Sequence, residues 1–302
     1  MKVLVTGGSG FVGREIVRQL LAAGHTPRVL ARGTHRRGAG VEMVRGSVLE
    51  PETLTAAVAG CDTVIHLVGI ISEIGPQTYE QVHIEGTRNM LAAATAGGVS
   101  RWIQMSALGT RPDAVARYHR SKWAAEEAVR ASGLAWTIFR PSLIYGPGDG
   151  FVNLFAQISR WSPVLPVMGS GQSLLQPVAV EDVAHCFVAA LSQPSSAGRT
   201  YDLCGRERLS FNAVLDEILA ATGRRRLKLH VPMALARFQA ALLEWVLPTL
   251  LRQAPPLNRD QLLMLAEDNV ADPRPAAYDF GFEPVKFREG IRRFLGASSA
   301  SA

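Results

Sequence analysis

The sequence predicts an α/β protein: a doubly wound parallel sheet with a smaller, mainly helical region packed over the carboxyl ends of its strands. Three observations predict it. Short apolar runs alternate with amphipathic segments through the first half, a glycine-rich turn joins the first run to the first helix, and beyond about Pro141 the alternation gives way to Gly-Pro turns and helices. Residues 1–145 read as the sheet domain, completed by a strand near 199–203, and residues 146–302 as mainly the substrate or lid region.

The first run, from Lys2 to Val5, ends in Gly7, Gly10 and Gly13 and continues into a helix through Arg14. In a strand–turn–helix of this kind the first glycine permits the tight turn. The second lets backbone approach a pyrophosphate, and the third lets the helix pack closely on the strand. The spacing therefore predicts a Rossmann-type dinucleotide cradle, with the pyrophosphate against free amides at the positive end of the helix. A merely structural turn is the alternative, and the flanking strand and helix argue against it.

The second strand, Pro27 to Ala31, indicates the cofactor. NAD-preferring sites place an Asp or Glu here to accept hydrogen bonds from the ribose, whereas this chain has Arg32, followed by Arg36 and Arg37. A guanidinium grips a 2′-phosphate bidentately and offers a bare ribose no acceptor, so NADP(H) is favoured with NAD(H) as the alternative. A solvated basic loop is the other reading of the arginines.

The alternation continues with a strand from Val41 to Arg45, a helix from Pro51 to Ala59, a strand from Thr63 to Val68 and a helix from Gln81 to Ala96. A strand from Arg101 to Met105, a helix from Arg117 to Ala131 and a strand from Ala135 to Arg140 follow, and Arg199 to Leu203 adds another strand. That rhythm is what a parallel sheet with crossover helices requires. Ala297 to Ala302 reads as a frayed tail.

A second chemical pattern is Tyr118 and Lys122, preceded by Ser106 at the end of the fifth strand. Residues four apart on a helix share a face, so the ammonium can lie beside the phenol, favour phenolate and lower the tyrosine pKa toward neutrality. A hydroxyl from Ser106 could orient a substrate oxygen, and Tyr118 would then be a general acid/base for carbonyl or alcohol chemistry. On its own a Tyr-x-x-x-Lys pair is usually an exposed helix face; the glycine cradle and strand-end serine before it turn the reading toward a site.

Other features limit the function. Hydrophobic residues make up 47% of the chain, enough for a sizeable core, and the formal charge of +6 is spread among helices and loops, so nucleic acid is not an expected partner. Cys61, Cys186 and Cys204 form no CxxC pair, which argues against a disulfide framework or metal site and fits a reducing cytoplasm. His66 and His185 sit in apolar segments and read as packed side chains. No targeting segment is expected at the start, whose apolar run belongs to the first strand. The apolar segment from Ala234 to Leu251, with Phe238 and Trp245, is interrupted by Arg237, Glu244 and Pro248 and is too short to span a bilayer. It reads as lid packing, with a docking surface toward a lipid interface or a larger complex as the alternative.

Together the glycine loop through Gly13, the segment His66 to Gly69, Glu85 to Asn89, Arg140 to Gly148 and Gln176 to Val183 resemble the extended short-chain dehydrogenase/reductase superfamily of NAD-dependent epimerases and dehydratases. The short interval from Ser106 to Tyr118, Trp136 to Ser142 and Asn258 to Leu263 make the chain similar to bacterial relatives of the dinucleotide-binding accessory subunit of respiratory complex I. The resemblance implies catalytic roles for Ser106, Tyr118 and Lys122. It also implies cofactor contacts from Gly7, Gly10, Phe11, Val12, Gly13, Arg32, Ser47, Val48, Leu67, Val68, Gly69, Lys122, Pro141 and Ile144.

Two departures qualify it. Ser47 stands where the superfamily usually has an acidic residue for the adenine amino group, and the Ser106–Tyr118 interval is about half the length found in sugar epimerases, removing part of the substrate wall. The expected function is an NAD(P)-binding oxidoreductase or epimerase-like enzyme acting on an unidentified carbonyl or alcohol, nucleotide sugar or quinone-related compounds included. The alternative is a nucleotide-loaded, non-catalytic assembly module. A monomer or homodimer, peripheral to a membrane or complex, is consistent with either.

Overall fold

Val3 and Val5 pack against one layer of helices while Leu4, between them, packs against the other, so the first strand is buried on both faces. This is the condition for a parallel sheet flanked by helices. In the computed structural model, which describes residues 1–33, 39–246 and 257–296, seven strands form that sheet. They are β1 (Lys2–Thr6), β2 (Thr26–Ala31), β3 (Glu42–Arg45), β4 (Thr63–His66), β5 (Arg101–Met105), β6 (Ala135–Pro141) and β11 (Arg199–Leu203). The remaining strands β7 (Ile144–Tyr145), β8 (Val164–Met168), β9 (Leu174–Leu175), β10 (Val178–Ala179), β12 (Leu209–Ser210) and β13 (Leu227–Val231) pair two by two outside it.

The large sheet has the order β11-β6-β5-β4-β1-β2-β3, and every pair is parallel. The chain builds outward from β1 to β3, then returns to β4 on the other side of β1 and builds the opposite way. That reversal opens a crevice at the carboxyl ends of β1 and β4, where ligands bind in open α/β sheets.

One face carries α1 (Phe11–Ala22) and α6 (Val180–Ala189), with Ile16, Leu20, Val183 and Phe187 buried against Val5, Ile65, Ile103 and Phe139. The other carries α2 (Pro51–Val58), α3 (Gly86–Ala96) and α4 (Arg117–Arg130), whose Leu54, Met90, Leu91 and Val129 close over Leu4, Val64, Trp102 and Ile138. The crossover before α3 opens with a π-helical turn, Glu80–Glu85, rather than the continuous helix expected from Gln81. β4 also ends at His66, two residues earlier than its apolar run, and Leu67 and Val68 leave the sheet to line the crevice.

A second core forms from α5 (Val152–Trp161), α7 (Phe211–Ala221) and α11 (Phe287–Leu295) around Phe211, Leu215, Phe287 and Ile291. α8 (Met233–Val246) and α9 (Arg259–Ala266) meet through Ala236, Ala240 and Leu262, and α10 (Arg274–Phe280) returns to the first core through Ala276 and Phe280. Arg36, Arg37, Pro248, the tail from Ala297 and the side chain of Trp245 lie outside the described residues.

One buried ion network ties α4 to the sheet. Glu126 is fully buried and accepts from Arg140 Nε at 2.8 Å, from an Arg140 terminal nitrogen at 2.6 Å and from Arg130 at 2.6 Å. Removing the carboxylate would leave Arg140, itself mostly buried, without a countercharge. Glu126→Ala should therefore cost about 3 kcal/mol of stability, with Glu126→Gln costing less because its amide still accepts one bond. Urea denaturation decides it, and an alanine variant within about 1 kcal/mol of the parent would mean that water compensates Arg140 instead.

Candidate active site

The crevice between β1 and β4 is a cleft of about 410 Å³. Its floor is the glycine turn. Gly7 has φ +74°, a left-handed conformation that side chains avoid, and a Cβ there would lie 3.3 Å from Leu67 on the neighbouring strand end. A Cβ on Gly13 would sit 2.2 Å from the carbonyl of Gly7, so only glycine lets α1 start directly against the turn. Gly10 precedes α1, and the first amides of that helix have no carbonyl one turn earlier to bond. Bare backbone and free amides suit the pyrophosphate of a dinucleotide.

The structure brings most of the expected cofactor residues together here. Gly7, Gly10, Phe11, Val12, Gly13, Arg32, Ser47, Val48, Leu67, Val68 and Gly69 all line the cleft. Arg32 is exposed at its rim and forms no ion pair among the described residues. Ser47 is half-buried, and its hydroxyl accepts from the amide of Leu49 at 3.2 Å. No carboxylate lines this cleft. Pro141 and Ile144 lie at the end of β6 and in β7 and are not among the residues lining it.

Lys122 stands where the cleft ends. Its Nζ would lie 2.8 Å from a Cβ on Gly69, and it donates to the carbonyl of Met105 at 3.4 Å; both Gly69 and Met105 line the cleft. A side chain at position 69 would displace the ammonium, so the glycine after β4 makes room for the lysine of α4. Ser106 follows Met105 and is buried, its hydroxyl donating to Thr110 Oγ1 at 3.3 Å. Tyr118 is half-buried, its ring held edge-on by Tyr79, His83 and His119 at centroid distances of 5.9, 5.5 and 5.3 Å. Its hydroxyl has no hydrogen-bond partner among the described residues.

The electrostatics correct one expectation. Lys122 does not lower the tyrosine: burial raises the Tyr118 phenol to about 12. Burial lowers Lys122 itself to about 8, with Glu126 partly opposing the shift. Desolvation acts on both groups and disfavours charge on each, and neither group contributes to the other's shift. Burial therefore favours the protonated phenol at Tyr118 over the phenolate.

Three residues that hold this site have no signature in the sequence pattern. His83, on the π turn, accepts from the amide of Ile70 through Nε2 at 3.0 Å, so its proton is on Nδ1. Nδ1 then donates to Ser121 Oγ at 2.7 Å, and Ser121 donates to the carbonyl of Tyr118 at 2.7 Å. Burial, reinforced by Lys122, lowers His83 to about 2, and it stays neutral. Asp260 accepts from the amides of Arg117 and Tyr118 at 3.2 and 3.0 Å, capping α4 from 142 residues away. His66 is neutral core, fully buried between Thr6 and Thr87, and His185 bonds the carbonyl of Phe280.

Residues 7–194 match the family described as NAD(P)H-binding, and the chain belongs to that family. A 2-alkyl-3-oxoalkanoate reductase of Stenotrophomonas maltophilia is 31% identical over 99% of this chain and 100% of its own length. The mitochondrial NADH dehydrogenase [ubiquinone] 1 alpha subcomplex subunit 9 of Arabidopsis thaliana is 29% identical over 96% of this chain and 76% of that protein. Among solved structures, the UDP-glucose 4-epimerase of Thermotoga maritima superposes with a TM-score of 0.79 over 100% of this chain and 99% of that one, at 19% identity, a likeness of fold. The chain is thus an NAD(P)H-binding protein of a family whose relatives include named reductases, and its fold is one shared with a nucleotide-sugar epimerase.

The lysine shift has a consequence for stability. Because Lys122 is lowered from 10.5 to about 8, the folded chain holds fewer protons than the unfolded chain between those values, and this group's contribution to stability rises with pH there. Below about 8 the full cost of burying the ammonium is borne. Lys122→Met should thus raise the stability of the cofactor-free protein by about 2 kcal/mol near pH 7, the gain shrinking as pH approaches 10.5, while nucleotide binding weakens. A variant less stable than the parent at pH 7, or a gain independent of pH, would mean that Lys122 is not a desolvated ammonium.

Proposed function

We propose that this chain is an NADP(H)-dependent reductase of an uncharged, largely apolar carbonyl compound. The observation that carries the reading is the placement of Lys122 against Gly69 and Met105 at the end of the nucleotide cleft, one helical turn from the protonated phenol of Tyr118. When bound, the nicotinamide supplies the hydride. Tyr118 gives its proton to the oxygen that becomes an alcohol, and a protonated phenol at neutral pH is the form that step needs. Lys122 keeps a cationic head at the cofactor end of the site and favours negative charge developing nearby. Ser106 turns its hydroxyl from Thr110 to the substrate oxygen and orients it. Gly7 to Gly13, Val48 and Leu67 to Gly69 hold the nucleotide, Ser47 serves adenine through its hydroxyl, and Arg32 takes the 2′-phosphate.

The substrate class rests on a second cavity, about 570 Å³, which reaches Tyr118 through two of its lining residues: Tyr79, whose ring meets that of Tyr118, and Asp260, which bonds its amide. It is lined by Tyr79, Val115 and Leu263 together with Glu73, Arg117, Glu244, Arg259 and Asp260. Arg117 pairs with Glu73 and Arg259 with Glu244, so both cations are committed and Asp260 leaves an excess of negative charge. A nucleotide sugar would bring a diphosphate into that field without a free cation to meet it. An uncharged ketone with an alkyl chain meets no such penalty and finds Tyr79, Val115 and Leu263. The similarity to a 2-alkyl-3-oxoalkanoate reductase supports a chain-bearing oxo compound, and the electrostatics favour its uncharged derivatives.

A second reading, a nucleotide-loaded assembly module, draws on the similarity to the complex I subunit and on the Ser106 hydroxyl being bonded to Thr110 and not to Tyr118. It would bind nucleotide and turn nothing over. The three cysteines are buried and unpaired, consistent with a reducing, cytoplasmic location at the side of a membrane or complex.

Three outcomes are expected. NADPH should bind more tightly than NADH, and Arg32→Ala should remove about tenfold from NADPH alone; nucleotide fluorescence titration settles it, with equal losses for both cofactors counting against the phosphate assignment. With a panel of alkyl 3-oxo esters and their free acids, NADPH oxidation should be faster with the esters. Tyr118→Phe should reduce turnover at least about a hundredfold while leaving NADPH affinity nearly intact. Nucleotide binding with no turnover against any carbonyl would favour the assembly reading.

A further inference from the structure

We infer that the face formed by α8, β13 and the end of α5 docks on a bilayer surface carrying anionic lipids. Its apolar side chains are unusually open: Trp161 is 78% exposed, Leu227 74% and Phe238 68%, with Leu229, Leu235 and Leu242 also exposed. They are neighbours in the fold. Leu227 pairs in register with Val164, three residues after Trp161, and Leu229 and Val231 follow on the same strand face. Lys228, on the opposite face of that strand, reaches back to Asp216 of α7 at 2.8 Å. Val231 and Met233 then pack with the buried Ala236 and Ala240 of α8, so strand and helix form one continuous surface.

α8 has two sides. Leu235, Phe238 and Leu242 recur three and four residues apart and make one exposed stripe. Glu244 lies half a turn round from that stripe, facing the cavity beside Tyr118 and pairing with Arg259 at 2.6 Å. The exposed stripe is thus not needed to close the cavity and has no partner among the described residues.

Charge identifies the occupant. From residue 218 to residue 243 the chain carries Arg224, Arg225, Arg226, Lys228 and Arg237 and not one carboxylate. Arg160 lies over the Trp161 ring, its guanidinium carbon 5.3 Å from the centroid. Among the described residues Arg160, Arg224, Arg225 and Arg237 form no ion pair, although arginines elsewhere in this chain commonly do. Exposed Trp, Phe and Leu side chains interleaved with unpaired arginines suit the boundary between headgroups and acyl chains, where rings and aliphatic groups insert and guanidinium groups reach up to phosphate. A protein partner would have to supply a matching row of carboxylates around an apolar centre; a bilayer with acidic headgroups offers that pattern at every position.

Cosedimentation of the full chain with vesicles tests this without reference to turnover, so it can fail while the reductase reading stands, and the converse. The protein should partition onto vesicles of phosphatidylcholine with phosphatidylglycerol, but not onto phosphatidylcholine alone, and raised ionic strength should weaken the binding. Leu235→Ser with Phe238→Ser, and separately Arg224→Glu with Arg225→Glu, should each lower the partition coefficient by about tenfold or more. Both double variants should keep the parent's melting temperature and NADPH affinity, which shows that the fold is intact. Indifference to lipid charge, absence of binding at low ionic strength, or variants that bind like the parent would overturn the inference. So would a concentration-dependent dimer dispersed by the Phe238→Ser change, since the face would then belong to a second copy of the chain.

Discussion

Nothing larger than hydrogen fits at Gly13, a side chain at Gly69 would push the Lys122 ammonium aside, and most of the site depends on those two bare backbone positions. A Cβ on Gly13 would lie 2.2 Å from the Gly7 carbonyl oxygen, and its absence lets the first turn of α1 pack on the glycine turn with its first amides toward the cleft. At Gly69 it makes room for the Lys122 ammonium. In the proposed reductase one contact would form the phosphate end of the nucleotide site and the other its reactive end, and both lie beside the strands where the sheet order reverses. The sheet fixes the distance between them through the parallel pairing of β1 with β4 and of β4 with β5.

The second organising element is α4, which carries both Tyr118 and Lys122 and is held at three heights. Asp260 caps its first amides, the His83–Ser121 relay grips the Tyr118 carbonyl, and Glu126 anchors its middle to Arg140 on β6. Each grip comes from a different part of the chain, and together they leave the helix little freedom to rotate or slide. This rigidity has an electrostatic cost. Lys122 is buried with one long hydrogen bond, and the Tyr118 hydroxyl has no partner among the described residues, so both groups give up hydration that the protein only partly replaces.

Local pattern made the sheet legible. Arg101 to Met105 and Arg199 to Leu203 are strands at the bounds their alternation predicts, and Gly7, Gly10 and Gly13, whose spacing predicts a cradle, line the cleft. What the sequence hid was long-range or environmental. The π turn at Glu80–Glu85 adds one residue to a helical period and leaves the apolar pattern nearly unchanged, yet it is what carries His83 toward Ile70 and Ser121. Asp260 lies within a stretch that suggested kinship but gave no hint that its carboxylate would cap a helix so far away in sequence. The Tyr118 pKa went the other way from its expected direction because four-residue spacing reports proximity but not burial, and burial dominates there.

These elements also explain why the lid is more than a cover. α8 turns Leu235 and Phe238 outward and Glu244 inward; Glu244 pairs with Arg259 at the start of α9; and the next residue, Asp260, caps the helix that carries Tyr118. A contiguous set of contacts therefore runs from the exposed apolar face of α8 to the helix that carries Tyr118, along the wall of the second cavity. Such continuity does not by itself establish coupling. It does mean that whatever settles on the outer face of α8 sits one helix diameter from the space beside Tyr118. An apolar carbonyl compound leaving a lipid surface would meet that cavity first, and would reach the acid through a wall whose own charges are already paired.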